Sequence, residues 1–277
     1  MNKLEKHTIN IPVGIIDFVL QHKIPKPFQL FIYLKCHSSG KVHEYSPLFY
    51  SISDALEIRD HRTINDYLAK LYSLNWIGYN PKSGYYFIRS FDAIRKKYHI
   101  KSRKAAIFDY RDINYLAAAF LPGAVICSNI KAQQFFWEVS KRRSAKFATK
   151  ILGVANQSFP TSDTPPPPYY GLSNKGIAGL LYCKQTRACE LKQQAEQAGY
   201  LKSKKQFEDI AILLKPDYNI RETIRANHPE LGKRVRFKTK TVKGQTVIRV
   251  TEQLYDEIIP YIQFKNIKRF SKIRRTA

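Results

Sequence analysis

Residues 62–77 read RTINDYLAKLYSLNWI and residues 186–201 read TRACELKQQAEQAGYL. In the first stretch Ile64, Tyr67, Leu68, Leu71 and Leu74 recur at steps of three and four, with Arg62, Asn65, Asp66, Ala69 and Ser73 between them. That is the stripe of an amphipathic helix with one wet face. In the second, Ala188, Leu191, Ala195 and Ala198 form the stripe, and Arg187, Glu190, Gln193, Gln194 and Gln197 are expected to face away. Each helix is followed by a residue that accepts a left-handed C-cap, Asn75 or Gly199, and then by an apolar pair, Trp76-Ile77 or Tyr200-Leu201. The offset between the copies is constant here, since 200 − 76 and 201 − 77 both equal 124.

The flanks repeat as well. Phe28 to Cys36 reads as a heavily buried helix after Pro25 and Pro27. SISDALEI, residues 51–58, is a short helix starting at Ser51 with Ile52, Ala55, Leu56 and Ile58 on its apolar side. Arg59, Asp60 and His61 turn into the longer helix. Beyond Trp76-Ile77, an Asn-Pro-Lys-Ser-Gly turn separates two β-favouring runs, which is a hairpin signal. In the second copy Ser173 starts NKGIAGLL, with Ile177, Ala178 and Leu181 inward and the short helix displaced by about one residue relative to the first copy. Tyr182 to Gln185 make the turn. After an excursion the chain reaches KRVRFKTKTVKGQTVIRV. Here period-two geometry puts Arg234, Arg236, Lys238 and Lys240 on one face of a strand, Lys243-Gly244 supplies a turn, and Gln245 to Val250 returns. Four like charges in a row cost free energy unless an anion lies across them.

The chain has 277 residues, a length suited to about two domains. With 47 Lys+Arg against 22 Asp+Glu its net charge is +25, a surplus that self-repels unless a polyanion meets it, and nucleic acid leads. An apolar fraction of 44% argues for a folded chain. Residues 92–157 read as a basic helical connector, with 13 Lys/Arg against 4 Asp/Glu over 92–150 and apolar runs YLAAAFL and AQQFFWEV. Residues 158–170, with four consecutive prolines, read as a stiff polyproline linker. The organisation expected is residues 1–91 as an N-terminal segment plus first domain, the connector, the linker, residues 171–260 as second domain, and 261–277 as a basic tail.

No membrane span is expected, because the most apolar stretch, Leu116 to Cys127, is broken by Pro122-Gly123. Asp17 interrupts the N-terminal apolar run, so no signal peptide is read and the cytoplasm, at the nucleoid, is the expected location. Cys36, Cys127, Cys183 and Cys189 show no C-x-x-C pairing and read as structural thiols. GLSNKG at 171–176 has phosphate-loop glycines, but Ile177-Ala178 stands where Lys-Ser/Thr belongs. The seven histidines form no metal-holding pair, and Cys36-His37 with His43 lacks a fourth ligand. No carboxylate pair, triad or activated tyrosine is legible, so a non-enzymatic protein is expected, without cofactor, metal, membrane partner or evident small-molecule ligand.

SISDALEI with RDHRTINDYL, and NKGIAGLL with CKQTRACEL, resemble the helix pairs of winged helix-turn-helix domains. The chain as a whole resembles, in architecture only, the tandem winged helix replication initiators of plasmids and phages, over residues 28–91 and 171–260. The resemblance implies a mainly α fold with small β-hairpins (α+β) and double-stranded DNA as partner, with replication or transcription machinery recruited to it. It implies that the second helix of each pair enters the major groove. The reading residues would then be His61, Arg62, Thr63 and Asn65 in the first unit, and Lys184, Gln185, Thr186, Arg187 and Gln193 in the second. Arg62 and Arg187 suit guanine, Asn65 and the glutamines adenine. Lys82 and the Arg234, Arg236, Lys238, Lys240 row, with Lys243 in its turn, would grip the backbone. A transcriptional regulator would use the same domains, an RNA-binding protein would suit the charge, a DNA-processing enzyme would need a site not legible here, and a winged helix can also serve protein interaction alone.

Overall fold

The computed structural model describes residues 7–152, 171–205, 207–213, 235–242, 245–253 and 256–268, with 137–152 and the three segments between 207 and 253 given as backbone path alone. The chain enters through β1 (Thr8–Pro12) and α1 (Val13–Gln21), which buries Ile15, Ile16, Val19 and Leu20. Next is α2 (Pro25–Cys36), with proline in its first turn and every residue from Phe28 to Leu34 buried. A helix apolar on all sides has to sit in the middle of the core. β2 (Lys41–His43), α3 (Pro47–Tyr50) and α4 (Ile52–Ala55) lead to α5 (His61–Ser73), which opens on Asp60 accepting from the Arg62 amide and buries Ile64, Leu68 and Leu71. Asn75 takes φ 57°, and Trp76 is fully buried against Phe28 and Phe31. The chain then runs through β3 (Ile77–Asn80) and β4 (Tyr85–Ile88). The sheet order is β2-β4-β3, all antiparallel.

After α6 (Phe91–Lys97) comes β5 (Lys104–Asp109), a 3-10 segment (Tyr110–Tyr115), a π-helical turn (Leu116–Phe120) and α7 (Leu121–Leu152). The expected break at Pro122-Gly123 does not occur. The Leu121 amide donates to Leu116 O, five residues back, and this widened turn takes up the proline ring that an ordinary α-turn would clash with. Among the described residues, the helical stretch Tyr110–Phe136 is therefore long and apolar enough to cross a membrane by length and composition, but 67% of its apolar window is buried inside the protein. It is a core helix.

The second unit continues with α8 (Asn174–Leu180), capped by Ser173 accepting from the Gly176 amide, and α9 (Gln185–Gln197). β6 (Leu201–Lys204) is followed by β7 (Phe207–Leu213), β8 (Val235–Val242), β9 (Gln245–Gln253), β10 (Glu257–Pro260) and β11 (Phe264–Asn266). β6 pairs with β10, and Gly171 forms an isolated bridge to Glu257 on the other side of β10. The order Gly171, β10, β6 thus reproduces β2, β4, β3. α5 and α9 each have 13 residues, and the offset 185 − 61 = 124 holds from helix start through the left-handed residue to the strand that follows. The short helices are displaced by one further residue. Ile58 N donates to Ser53 O, and Cys183 N to Ala178 O, an offset of 183 − 58 = 125. The two halves are one design used twice.

The expected pairing of the basic strand with its return strand is present as β8 and β9. β8 and β9 form their own sheet, in the order β7-β9-β8, inserted between β6 and β10. Two other expectations need correction. The stretch read as a helical connector holds a strand, β5, at the centre of the sheet β1-β5-β11, and α7 packs on both α1 and α9. Ser51 precedes α4 without capping it, because its hydroxyl donates to Leu48 O and meets Tyr33 Oη at 2.9 Å instead.

One hydrophobic core runs through both halves, from Ile15, Phe31 and Trp76 to Phe120, Ile126, Ala195 and Ile258. Polar ties cross the junction. Gln29 Nε2 donates to Ile113 O at 2.9 Å, Lys131 Nζ to Ile262 O at 3.0 Å, and Tyr182 Oη to Asp17 Oδ1 at 3.0 Å.

Candidate nucleic-acid interface

A buried stripe fixes each long helix and thereby decides what it shows to water. On α5 His61, Arg62 and Asn65 are exposed and Thr63 is half-buried. Lys82, in the turn between β3 and β4, is exposed, and its amide donates to Asn80 Oδ1 at 3.0 Å. On α9 Lys184, Gln185, Thr186, Arg187 and Gln193 are all exposed. Lys184 stands at the N-cap and its side chain caps no first-turn amide, whereas Asp60 on α5 accepts from the Arg62 amide. Each expected reading set thus lies on, or at the start of, a single helix and is exposed except for the half-buried Thr63. Of the basic row, Arg236, Lys238 and Lys240 occupy alternate register positions of β8, opposite Thr251, Arg249 and Val247 of β9. Arg234 and Lys243 lie outside the described residues.

Arg187 does not stand alone, since its guanidinium meets Glu190 Oε2 at 2.7 Å with both side chains about half exposed. The pair keeps the arginine on the outer face of the first two turns. A surface pair of this kind contributes only about 0–1 kcal/mol, so an anionic or base-edge partner can displace it.

Gln194 departs from the expected outward direction. It is half-buried with Oε1 shielded and unpartnered among the described groups, at a cleft of about 610 Å³ lined by Asp112, Tyr115, Ala119, Gln197 and Tyr200. Burial pushes the Tyr200 hydroxyl far up, and the Asp112 and Asp109 carboxylates push in the same direction. α9 also carries an inward lysine that helical periodicity alone did not single out. Lys192 lies on the buried side and donates to Asp256 Oδ2 at 2.7 Å. Glu196 Oε1 accepts from the Ser203 amide at 2.8 Å. α9 is therefore tied to both strands that carry the inserted sheet.

The four cysteines are free, and burial pushes the Cys36 and Cys127 thiols up to about 11, Lys35 partly opposing it at Cys36. Among the described residues no group of three or more His, Cys, Asp or Glu side chains is placed to hold a metal ion. No family model matches the chain, and neither a curated protein nor a solved structure matches it.

Proposed function

We propose that the chain binds double-stranded DNA sequence-specifically through two winged helix-turn-helix units, and acts as a replication initiator on a plasmid, phage or other mobile element. The observation that carries this reading is the duplicated helix pair, in which α5 and α9 each expose Arg with Asn or Gln on the first turns. Those side chains match guanine and adenine edges in the major groove. The +25 charge supplies the sequence-independent part of the affinity. Two readers on one chain cover successive grooves without a homodimer, so the site is composite and asymmetric. Arg236, Lys238 and Lys240 on the inserted sheet supply backbone contacts in this reading.

The test is selection from a randomised duplex pool at physiological salt, followed by sequencing of the bound fraction. A single bipartite motif is expected. Repeats of that motif at an origin in the source DNA support an initiator, and a lone copy at a promoter turns the reading to a transcriptional regulator. No enrichment, with binding that vanishes as salt rises, removes the base-reading assignment.

A further inference from the structure

The sheet β2-β4-β3 has a second face that the duplex reading leaves unused. Its inner face carries Val42, Tyr86 and Tyr79 in register, with Tyr86 packed on Phe49 and Tyr79 at 5.0 and 4.7 Å between ring centroids. Alternation puts the remaining rows on the other side: Lys41, Phe87 and Gly78 in one, His43, Tyr85 and Asn80 in the next. Rings follow one another across this face. His43 lies 4.8 Å from Tyr85 and 5.6 Å from Tyr45, and Tyr45 is 70% exposed and Phe87 38%. The Lys41 ammonium sits 4.1 Å from the Tyr85 centroid and 6.0 Å from that of Phe87. Gly78 leaves the surface beside Phe87 bare, since a Cβ there would meet only Phe87 Cβ, at 4.0 Å.

The charges agree in sign. Glu44, the acidic residue next to β2, is held by Tyr79 Oη, which donates to Oε2 at 2.6 Å, and its Oε1 lies beside Gly84 at the His43 end of the face. Lys82 just before β4 and Arg89 just after it are exposed. The outer rows contain cations, rings and amides and no carboxylate. Flat π-faces interleaved with cations match unpaired bases on a phosphate backbone, because each base stacks and each phosphate finds a cation. Duplex DNA offers no base faces to such a surface.

We propose that this outer face, Lys41, His43, Tyr85 and Phe87 around Gly78, with Tyr45 in the turn beside His43, binds single-stranded DNA by stacking bases on the rings, with Lys41 and Arg89 at the phosphates. The choice of DNA over RNA rests on the duplex reading above; the face itself does not. A chain that docks on duplex DNA and also holds one separated strand would stabilise an opened segment beside its site.

The full chain is titrated at physiological salt against labelled oligothymidylate, oligouridylate of the same length and a duplex, by fluorescence anisotropy. Phe87→Ala and Tyr45→Ala are each expected to weaken oligothymidylate binding at least about fivefold, the lower bound for one stacked base. Phe87→Trp restores it, and duplex affinity stays unchanged in all three. Unchanged oligothymidylate affinity in both alanine variants overturns the proposal, as does an equal loss on duplex. Tighter binding of oligouridylate overturns the assignment to DNA. If the duplex pool enriches nothing while the aromatic variants still lose oligothymidylate, the duplex reading fails and this site stands.

Discussion

Lys192 Nζ and Asp256 Oδ2 lie 2.7 Å apart, with the lysine side chain 8% exposed and the aspartate 22%. The pair joins the inward side of α9 to the residue immediately before β10, where the inserted sheet rejoins the second unit. Removing one member leaves a charge that the core cannot solvate. Asp256→Ala is expected to cost about 2–4 kcal/mol, at the lower side of the buried range because the aspartate is partly wet. Replacing both residues together, Lys192→Met with Asp256→Leu, is expected to recover most of it. Urea denaturation of the three variants checks this. A double variant as unstable as the single one would mean that the aspartate acts through something other than this pair.

Gly123 shows how close α7 and α9 stand. A Cβ there would lie 3.3 Å from both Ala195 Cβ and Tyr200 Cβ and 3.5 Å from Ile262 Cδ1. Gly123→Val adds two more carbons to a seam already closed and is expected to destabilise by about 1–3 kcal/mol. The shift in the thermal midpoint reads it, and an unchanged midpoint would show that the seam is looser than these distances.

Much of the repeat was legible because its signals are local. The stripe of Ile64, Leu68 and Leu71, the Asn75 and Gly199 stops and the Ser173 cap are set by neighbours within a few residues. Strand pairing across long separations was not legible. β6 finds β10 beyond an insert, β1 meets β5 across the whole first unit, and neither strand carries a pattern that names its partner. Pro122 misled for a physical reason, since a proline ends a helix only if the preceding turn cannot widen, and here it does. Lys192 and Gln194 are polar residues whose inward direction is decided by Asp256 and the cleft, both far away in sequence.

The Arg187–Glu190 pair makes the reading of α9 testable in both directions. Arg187→Ala is expected to weaken binding to the selected site by about 1–3 kcal/mol and to relax specificity at one position. Lys238→Ala weakens all sequences alike and flattens the salt dependence. Glu190→Gln frees the guanidinium and removes an anion near the phosphates, so affinity rises by up to about fivefold, the value of an exposed pair. Anisotropy titrations over a salt series separate the three. Equal indifference to sequence in the Arg187 and Lys238 variants would end the base-reading role of Arg187.

Asp109 carries an acid dependence. Arg111 Nε donates to Oδ1 at 2.9 Å and the Arg111 amide donates to the same oxygen at 3.1 Å, and these contacts hold the carboxyl below its usual range. A depressed folded value stabilises above the ordinary carboxylate value near ~3.9, and that contribution is lost as pH falls through the folded value. Asp109→Asn is therefore expected to lower stability at neutral pH by under ~1 kcal/mol, since the arginine is mostly solvated, and to converge on the unaltered chain as pH falls through the depressed folded value. Chemical denaturation at a series of pH values reports it, and parallel curves down to the lowest pH would contradict it.

Because residues of α5, α7 and α9 share one core, the two helices cannot swing independently, and in the proposed duplex reading the spacing of their half-sites is set by the protein. Inserting about 5 base pairs between the halves of the selected motif turns one by half a helical repeat, and about 10 restores its phase at a greater distance. A rigid reader loses the second contact in both cases, so affinity falls to that of a single half-site for either insertion. A flexible tether would tolerate both, because a long linker lowers effective concentration only slowly. Anisotropy on the three duplexes decides. Full affinity on the longer spacers would mean that α5 and α9 part company on DNA, and that the shared core opens when the site is bound.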